Sequence, residues 1–357
     1  MNILITAPDL EESRNVSGIS TVVRQIIERR PSQFTHFIAG STDRERKGLR
    51  WLIRQLALPI RFLTAVMRSR PDVIHINTAL TDLSIWRDLV LLLIGVAAGR
   101  PILLAIHGGK YLMNEAAGKL IDRAIGIMLR RSAAVVVLSE IERASLLRRW
   151  PDVDITVLPN AIDTVNVPAI DRSNETPVVV FLGRLHESKG IRELAGACGK
   201  LHSAGSKFIL RCYGEGPEKD RFIDTMNELL GRAFEYRGVV AGKEKWAALA
   251  ASDVFVLPSI YGEGMPMALL EAMACGCVVI ASDNASISAV IESGKNGYIV
   301  PAGDVDALAE KLAMVIEYRD EWPAVSAAAK KTIEEKFAID RYFTDLESTY
   351  HRAASKI

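Results

Sequence analysis

The chain has 357 residues, more than one hydrophobic core usually supports, so two domains of about 150–200 residues are expected. Hydrophobic residues make up 49% and charged residues 24%, a composition that excludes a disordered or fibrous chain. The net charge of +1 hides a split: residues 1–160 carry 22 Lys+Arg against 15 Asp+Glu, and the rest carry 22 against 28.

Short β-rich apolar runs then alternate with helical stretches, the pattern of βαβ units around parallel sheets. The first half has candidate strands at 2–6, 35–39, 73–76, 102–106, 134–138 and 156–158. The second has them at 178–182, 207–213, 234–237, 254–257, 278–281 and 298–300. Runs such as ILLAI and VVVFL are apolar on both faces, as strands between two helix layers must be. A helical tail covers roughly 304–353. The opening MNILITAP has no basic region, so a cleaved secretory signal is not expected. The longest apolar run, Leu89 to Gly99, falls short of the roughly 20 residues that cross a bilayer. Cys198, Cys212, Cys275 and Cys277 are too few for a disulfide framework. A reduced, cytoplasmic protein is expected.

The polar stretch Asp163–Pro177, with two prolines and no period, marks the linker. The expected organisation is an N-terminal doubly wound domain over 1–163, a linker over 164–177, a second such domain over 178–340, and a C-terminal helix over 341–357 that packs back on the first domain. Such sheets take ligands beyond the carboxyl ends of their strands, and a cleft between two domains is the expected site.

Strand 178–182 runs into Gly183-Arg184-Leu185-His186-Glu187-Ser188-Lys189-Gly190, ahead of a helix over 191–202. Gly183 lets backbone approach a ligand, and Arg184 and Lys189 set two cations beside a helix N-terminus, which suits a diphosphate. A solvated βα loop is the plain alternative. After strand 254–257 come Pro258-Ser259-Ile260-Tyr261-Gly262-Glu263-Gly264-Met265-Pro266 and a helix over 267–274. Pro266 suits the first helical position, which leaves the Gly264 and Met265 amides pointing outward. Glu263 at the helix mouth can accept sugar hydroxyls, and Glu271 can hold a ribose diol. The plain alternative is a helix N-terminal charge and a surface glutamate, but the apolar setting LLEAMACG argues against solvation of Glu271.

GRLHESKG followed by the Glu263 and Glu271 pair resembles the retaining glycosyltransferases of family 4, which have the GT-B architecture. SGISTVVRQI, HGG, LPNAID, YGEGP and GYIVPAGD match in the same order, so the resemblance covers essentially the whole chain. It implies two Rossmann-like domains with a cleft between them and a helical C-terminal tail. It also implies sugar transfer from a nucleotide sugar to a glycan, lipid-linked glycan or related acceptor, with retained anomeric configuration and no metal or other cofactor. Bacterial cell-surface polysaccharide synthesis is the implied setting. Arg184 and Lys189 would bind the diphosphate, Glu271 the ribose, and Glu263 with Gly264, Met265 and Pro266 the donor sugar. His107 falls at the active-site histidine, Gly18 at a glycine loop near the phosphates, and Val239 where backbone meets the base. Ser17 replaces a second glycine found in many members. A GT-B epimerase, a phosphorylase and a non-catalytic nucleotide-sugar sensor or scaffold are the rivals; the sequence has no pyridoxal lysine motif for the phosphorylase.

His107 follows ILLAI and so emerges at the carboxyl end of a buried strand, whereas His75 sits inside one and reads as a core histidine. Asp304-Val305-Asp306 reads as a helix cap and first-turn charge, and Asp152-Val153-Asp154 as a polar turn, so neither is expected to hold metal. Between Ser41 and Arg70 there are eight basic and two acidic residues, with Arg54, Arg61 and Arg68 seven apart and Trp51, Leu52, Leu56, Leu63 and Val66 between them. Residues 44–70 therefore suit an anionic membrane surface, with the protein peripheral on the inner face of the plasma membrane. The alternative is a domain helix with solvated arginines, kinked at Pro59. Nucleic acid is not an expected partner.

Overall fold

The computed structural model describes residues 1–11, 15, 17–40, 48–113, 118–168, 174–284 and 286–356. They form two compact units, Met1–Asn160 with Asp340–Ile357, and Ala161–Ile339.

The first unit runs β1 (Ile3–Ala7), α1 (Gly18–Arg29), β2 (Phe34–Ile38), α2 (Leu49–Ser69), β3 (Val73–Thr78), α3 (Asp82–Ala97), β4 (Ile102–Ile106), α4 (Lys110–Met113), α5 (Lys119–Arg131), β5 (Ala134–Val137), α6 (Glu140–Arg149) and β6 (Ile155–Val157). The second runs β7 (Val178–Leu182), α7 (Ile191–Ser203), β8 (Ile209–Tyr213), α8 (Lys219–Leu230), β9 (Phe234–Tyr236), α9 (Gly242–Ala250), β10 (Val254–Leu257), α10 (Met267–Ala274), β11 (Val278–Ser282), α11 (Ile287–Val290), β12 (Tyr298–Val300), α12 (Val305–Glu317) and α13 (Trp322–Lys336). A last helix, α14 (Ile339–Ala354), closes the chain.

Both sheets are parallel and six-stranded, in the orders β2-β1-β3-β4-β5-β6 and β12-β11-β10-β7-β8-β9. Strand order therefore reverses between β1 and β3 in the first sheet and between β7 and β10 in the second. All residues of β1, β3 and β4 are buried, and the period of two divides them between two helix layers. Leu4, Ile74, Ile76, Ile102 and Leu104 share one core cluster with residues of α2, α3 and α5. Ile5, His75 and Leu103 are aligned in register on the opposite face. There the His75 Nδ1 and the Tyr350 hydroxyl of α14 share a hydrogen bond of 2.7 Å. Ion pairs Arg29–Asp340 and Arg30–Glu347 join α14 to the end of α1. In the second unit Val179, Phe181, Leu210 and Cys212 pack with α7, α8 and α12.

The chain passes to the second unit at Ala161, ahead of the expected boundary, and the Ile162 N–H donates to the Phe337 carbonyl at 2.9 Å. Residues 169–173 of the expected linker lie outside the described residues. Strand β3 extends past the expected Ile76, because Asn77 and Thr78 continue the ladder opposite Ala105 and Ile106. Among the described residues no helix is long and apolar enough to cross a membrane.

Candidate functional site

In the second unit the exits of β7, β8, β9 and β10 are tied into one edge. The Gly183 N–H donates to the Tyr213 carbonyl at 3.1 Å, Leu185 to Glu215 at 3.0 Å, and Gly214 to Gly238 at 2.8 Å. The Ile260 N–H donates to the Ser188 carbonyl at 2.9 Å, which joins the β7 and β10 loops across the reversal of strand order. Gly190 makes that closure possible. Its φ of +68° suits glycine, and a Cβ there would lie 1.8 Å from the Pro258 carbonyl oxygen.

At this junction Lys189 Nζ lies 2.5 Å from Glu263 Oε1, and Ser259 Oγ donates to the same oxygen at 2.5 Å. Glu263 is buried, so its charge has lost water and is held by the lysine and the hydroxyl instead. Lys189 in turn is fixed at the strand edge with a quarter of its side chain exposed. Arg184 is exposed in the same loop. His186 acts locally, where its Nδ1 accepts from the Ser188 N–H at 3.1 Å and shapes the turn.

Glu271, on α10, is also buried, and Lys245 Nζ of α9 lies 2.5 Å from its Oε1. The apolar setting of Glu271 is legible in the sequence, but Lys245 is not, its only signal being a lysine four residues before Leu249 in an otherwise apolar helix end. The position of Pro266 is corrected: it is extended (φ −68°, ψ 123°) and caps α10 from outside, with Met267 the first helical residue. Gly264 and Met265 consequently lie one residue further from the first turn than expected, and both are buried. Val239 is exposed just beyond Gly238, at the β9 exit.

His107 and Gly18 belong to the first unit. Half-buried after β4, His107 has its Nε2 2.7 Å from Asn77 Oδ1. Asn77 Nδ2 donates to the Thr6 carbonyl at 2.9 Å, so Asn77 Oδ1 accepts, His107 Nε2 carries the proton, and Nδ1 keeps the lone pair. Burial pulls the His107 pKa down to about 4, which keeps the ring neutral near pH 7. Asn77 lies past the expected end of the strand at residue 76, and neither it nor Thr6 was among the candidate site residues. Gly18 is the exposed first residue of α1, and Ser17 Oγ caps that helix by accepting from the Ser20 N–H at 3.3 Å. The core reading of His75 is seen in its near-complete burial, which lowers its pKa to about 3.

Asp304 Oδ1 accepts from the Ala307 N–H at 2.9 Å, and Asp306 pairs with Lys200. Asp152 pairs with Arg130 at 2.7 Å, and that guanidinium holds its carboxyl below the usual range. Residues 41–47 lie outside the described residues, whereas Arg54, Arg61 and Arg68 are all exposed on α2. That helix runs through Pro59 without interruption; Leu58, Phe62 and Val66, buried on both sides of the proline, anchor its two halves.

Residues 17–166 match the family Glycosyltransferase Family 4, and residues 165–332 match Glycosyl transferases group 1. Over 181 residues the chain is 34% identical to the glycosyltransferase WcaL of Salmonella typhimurium, named for colanic acid biosynthesis, covering 48% of this chain and 45% of that protein. Over 223 residues it is 29% identical to the phosphatidyl-myo-inositol mannosyltransferase of Mycolicibacterium smegmatis, covering 56% and 57%. The chain spans about half the length of the curated relatives it matches. Its fold superimposes on sucrose-phosphate synthase from Thermosynechococcus elongatus with a TM-score of 0.80 at 18% identity, covering 100% of both chains. Anabaena HepE, solved with UDP and glucose, gives 0.78 at 16% identity, covering 98% and 99%. Two parallel six-stranded units with a helical C-terminal region thus define a GT-B fold. The chain belongs to the family 4 glycosyltransferases.

Proposed function

We propose that the protein moves a sugar from a nucleotide-sugar donor to a glycan, lipid-linked glycan or related acceptor, with retained configuration, in cell-surface polysaccharide synthesis at the cytoplasmic side of the membrane. The observation that carries this reading is the Lys189–Glu263–Ser259 cluster where the β7 and β10 exits meet. Open α/β sheets take ligands at such reversals of strand order, and a fixed lysine beside an exposed arginine suits a nucleoside diphosphate.

In this reading Arg184 and Lys189 stabilise the charge that grows on the diphosphate as the glycosidic bond breaks. Gly183 gives the phosphates room. Glu263, with the chain at Gly264, Met265 and Pro266, holds the donor sugar; Glu271 holds the ribose, and Val239 lies at the base. His107, neutral with Nδ1 open as an acceptor, serves the hydroxyl side. The leaving phosphate oxygen takes the acceptor proton while the hydroxyl attacks from the same face, which retains configuration. Arginine and lysine do the neutralising, so the reading needs no divalent ion; Asp304 and Asp152, already engaged with Ala307 and Arg130, support this. UDP and glucose in Anabaena HepE support the donor class. The names of the mannosyltransferase and of WcaL support a lipid or polysaccharide acceptor.

A panel of nucleotide sugars tests the reading. The true donor should raise the melting temperature by mass action and, with acceptor, release its nucleoside diphosphate. A panel that shifts nothing and turns over nothing would remove the proposal; protection without turnover would point to a sensor.

A further inference from the structure

Helix α2 is apolar on two faces. Leu58, Phe62 and Val66 are buried against the first sheet, as expected of a crossover helix. Leu49, Ile53, Leu56, Ile60, Leu63 and Met67 recur in alternating steps of four and three on the outer side and are 45–73% exposed. The neighbouring α3 continues the pattern with Leu83, Trp86, Val90 and Leu93, 41–62% exposed. Contiguous apolar surface of this kind on a soluble fold marks an interaction site. Beside it, a groove of about 560 Å³ opens between β2 and α2. Arg61, Arg68, Thr35 and Thr64 line it, and Ile60 belongs to both groove and stripe.

We propose that this two-helix face lies in the surface of an anionic bilayer, with the outer stripe among the acyl chains and lipid phosphates seated at Arg61 and Arg68. Charge selects the occupant. From Leu49 to Ser69 the helix has four arginines and no acidic residue, so a second copy packed on the same face would set arginine against arginine. An anionic lipid surface meets the cations with opposite charge and the leucines with hydrocarbon. The inference extends the basic-surface reading of 44–70: the sequence supplied the arginines, and the structure adds the outward stripe, the partner helix α3 and the groove. It does not depend on the donor site.

The test is cosedimentation with vesicles of phosphatidylcholine alone or containing one-third phosphatidylglycerol, together with quenching of Trp86 by brominated acyl chains and Trp86→Phe as the reference. Wild-type protein should pellet only with the anionic vesicles, and Trp86 should be quenched. Replacing both arginines by glutamine should lower partitioning about 30-fold. Leu56→Asn with Leu63→Asn should abolish quenching. These positions face solvent, so the variants should keep the wild-type melting temperature and wild-type protection by nucleotide sugar. Failure to pellet with anionic vesicles would overturn the proposal, as would pelleting that the asparagine variant leaves unchanged. A concentration-dependent dimer abolished by the same variant, without lipid binding, would assign the face to a second copy instead.

Discussion

At the carboxyl edge of the second sheet two buried glutamates, Glu263 and Glu271, each hold a lysine, whereas at the same edge of the first sheet Thr6, Asn77 and His107 are linked as neutral groups. The strands are arranged alike; the chemistry is not. Buried carboxylates keep their charge only with a cation in contact, and that contact fixes each lysine in place. In the first unit burial removes the charge from His107, leaving a hydrogen-bonding edge suited to an uncharged hydroxyl. One fold thus offers an ionic edge and a neutral edge, and the proposed function assigns the first to the donor.

The comparison breaks most readily at the ionic edge. Lys189→Ala should lower turnover at least about 10²-fold at saturating donor, the scale for losing a charge partner of the transition state. Arg184→Ala should fall in the same range, and release of nucleoside diphosphate reads both. Glu271→Ala should instead raise the donor KM more than it lowers kcat, because a ribose contact is made equally in ground and transition states.

Next in size is the Lys245–Glu271 pair. Lys245→Met takes the ammonium at 2.5 Å away from the buried Glu271 carboxylate and should cost up to about 3–5 kcal/mol in a denaturant titration. Adding Glu271→Gln should return most of that loss. A single variant as stable as wild type would show that Glu271 finds water or another cation, and the ionic edge would then be less rigid than described.

The neutral edge makes a pH prediction. His75 and His107 have folded pKa values near 3 and 4, below the ordinary 6.5, so below pH 6.5 the unfolded chain binds more protons than the folded one. Stability should be full above that pH and decline as pH falls toward 4. For the fully buried His75 the slope approaches about 1.4 kcal/mol per pH unit. Denaturation midpoints at several pH values would reveal it, and His75→Gln should flatten the decline. The smallest effect is at Asp304, where alanine should cost about 1 kcal/mol through the lost cap and leave activity, with or without chelator, unchanged.

Much of this was legible in the sequence because it lies in local patterns. Most of the twelve strands among the described residues are apolar runs, and Arg184, Lys189 and Glu263 lie in loops that follow strands while Glu271 sits in an apolar helix. The partners were less legible. Lys245 reaches Glu271 from another helix, 26 positions away in the chain, and Asn77 meets His107 only because β3 outlasts its apolar residues by two polar ones. Pro266 shows a local limit: a proline can serve as the first helical residue or stand just outside it, and spacing alone does not separate the two. The outward stripe of α2 was partly visible as leucines, but which face packs on the sheet is decided by Phe37 and Phe62 meeting edge to face at 5.0 Å.

The central claim is that the β7–β10 junction binds a nucleoside diphosphate through Lys189 and Arg184. Calorimetric titration of UDP and GDP into wild-type protein and into Lys189→Ala tests it most directly. The account predicts that one of the two binds wild type and that the variant, still folded by its melting curve, binds it at least about tenfold more weakly, as loss of a charge-assisted contact should. Equal affinity in both proteins would contradict it.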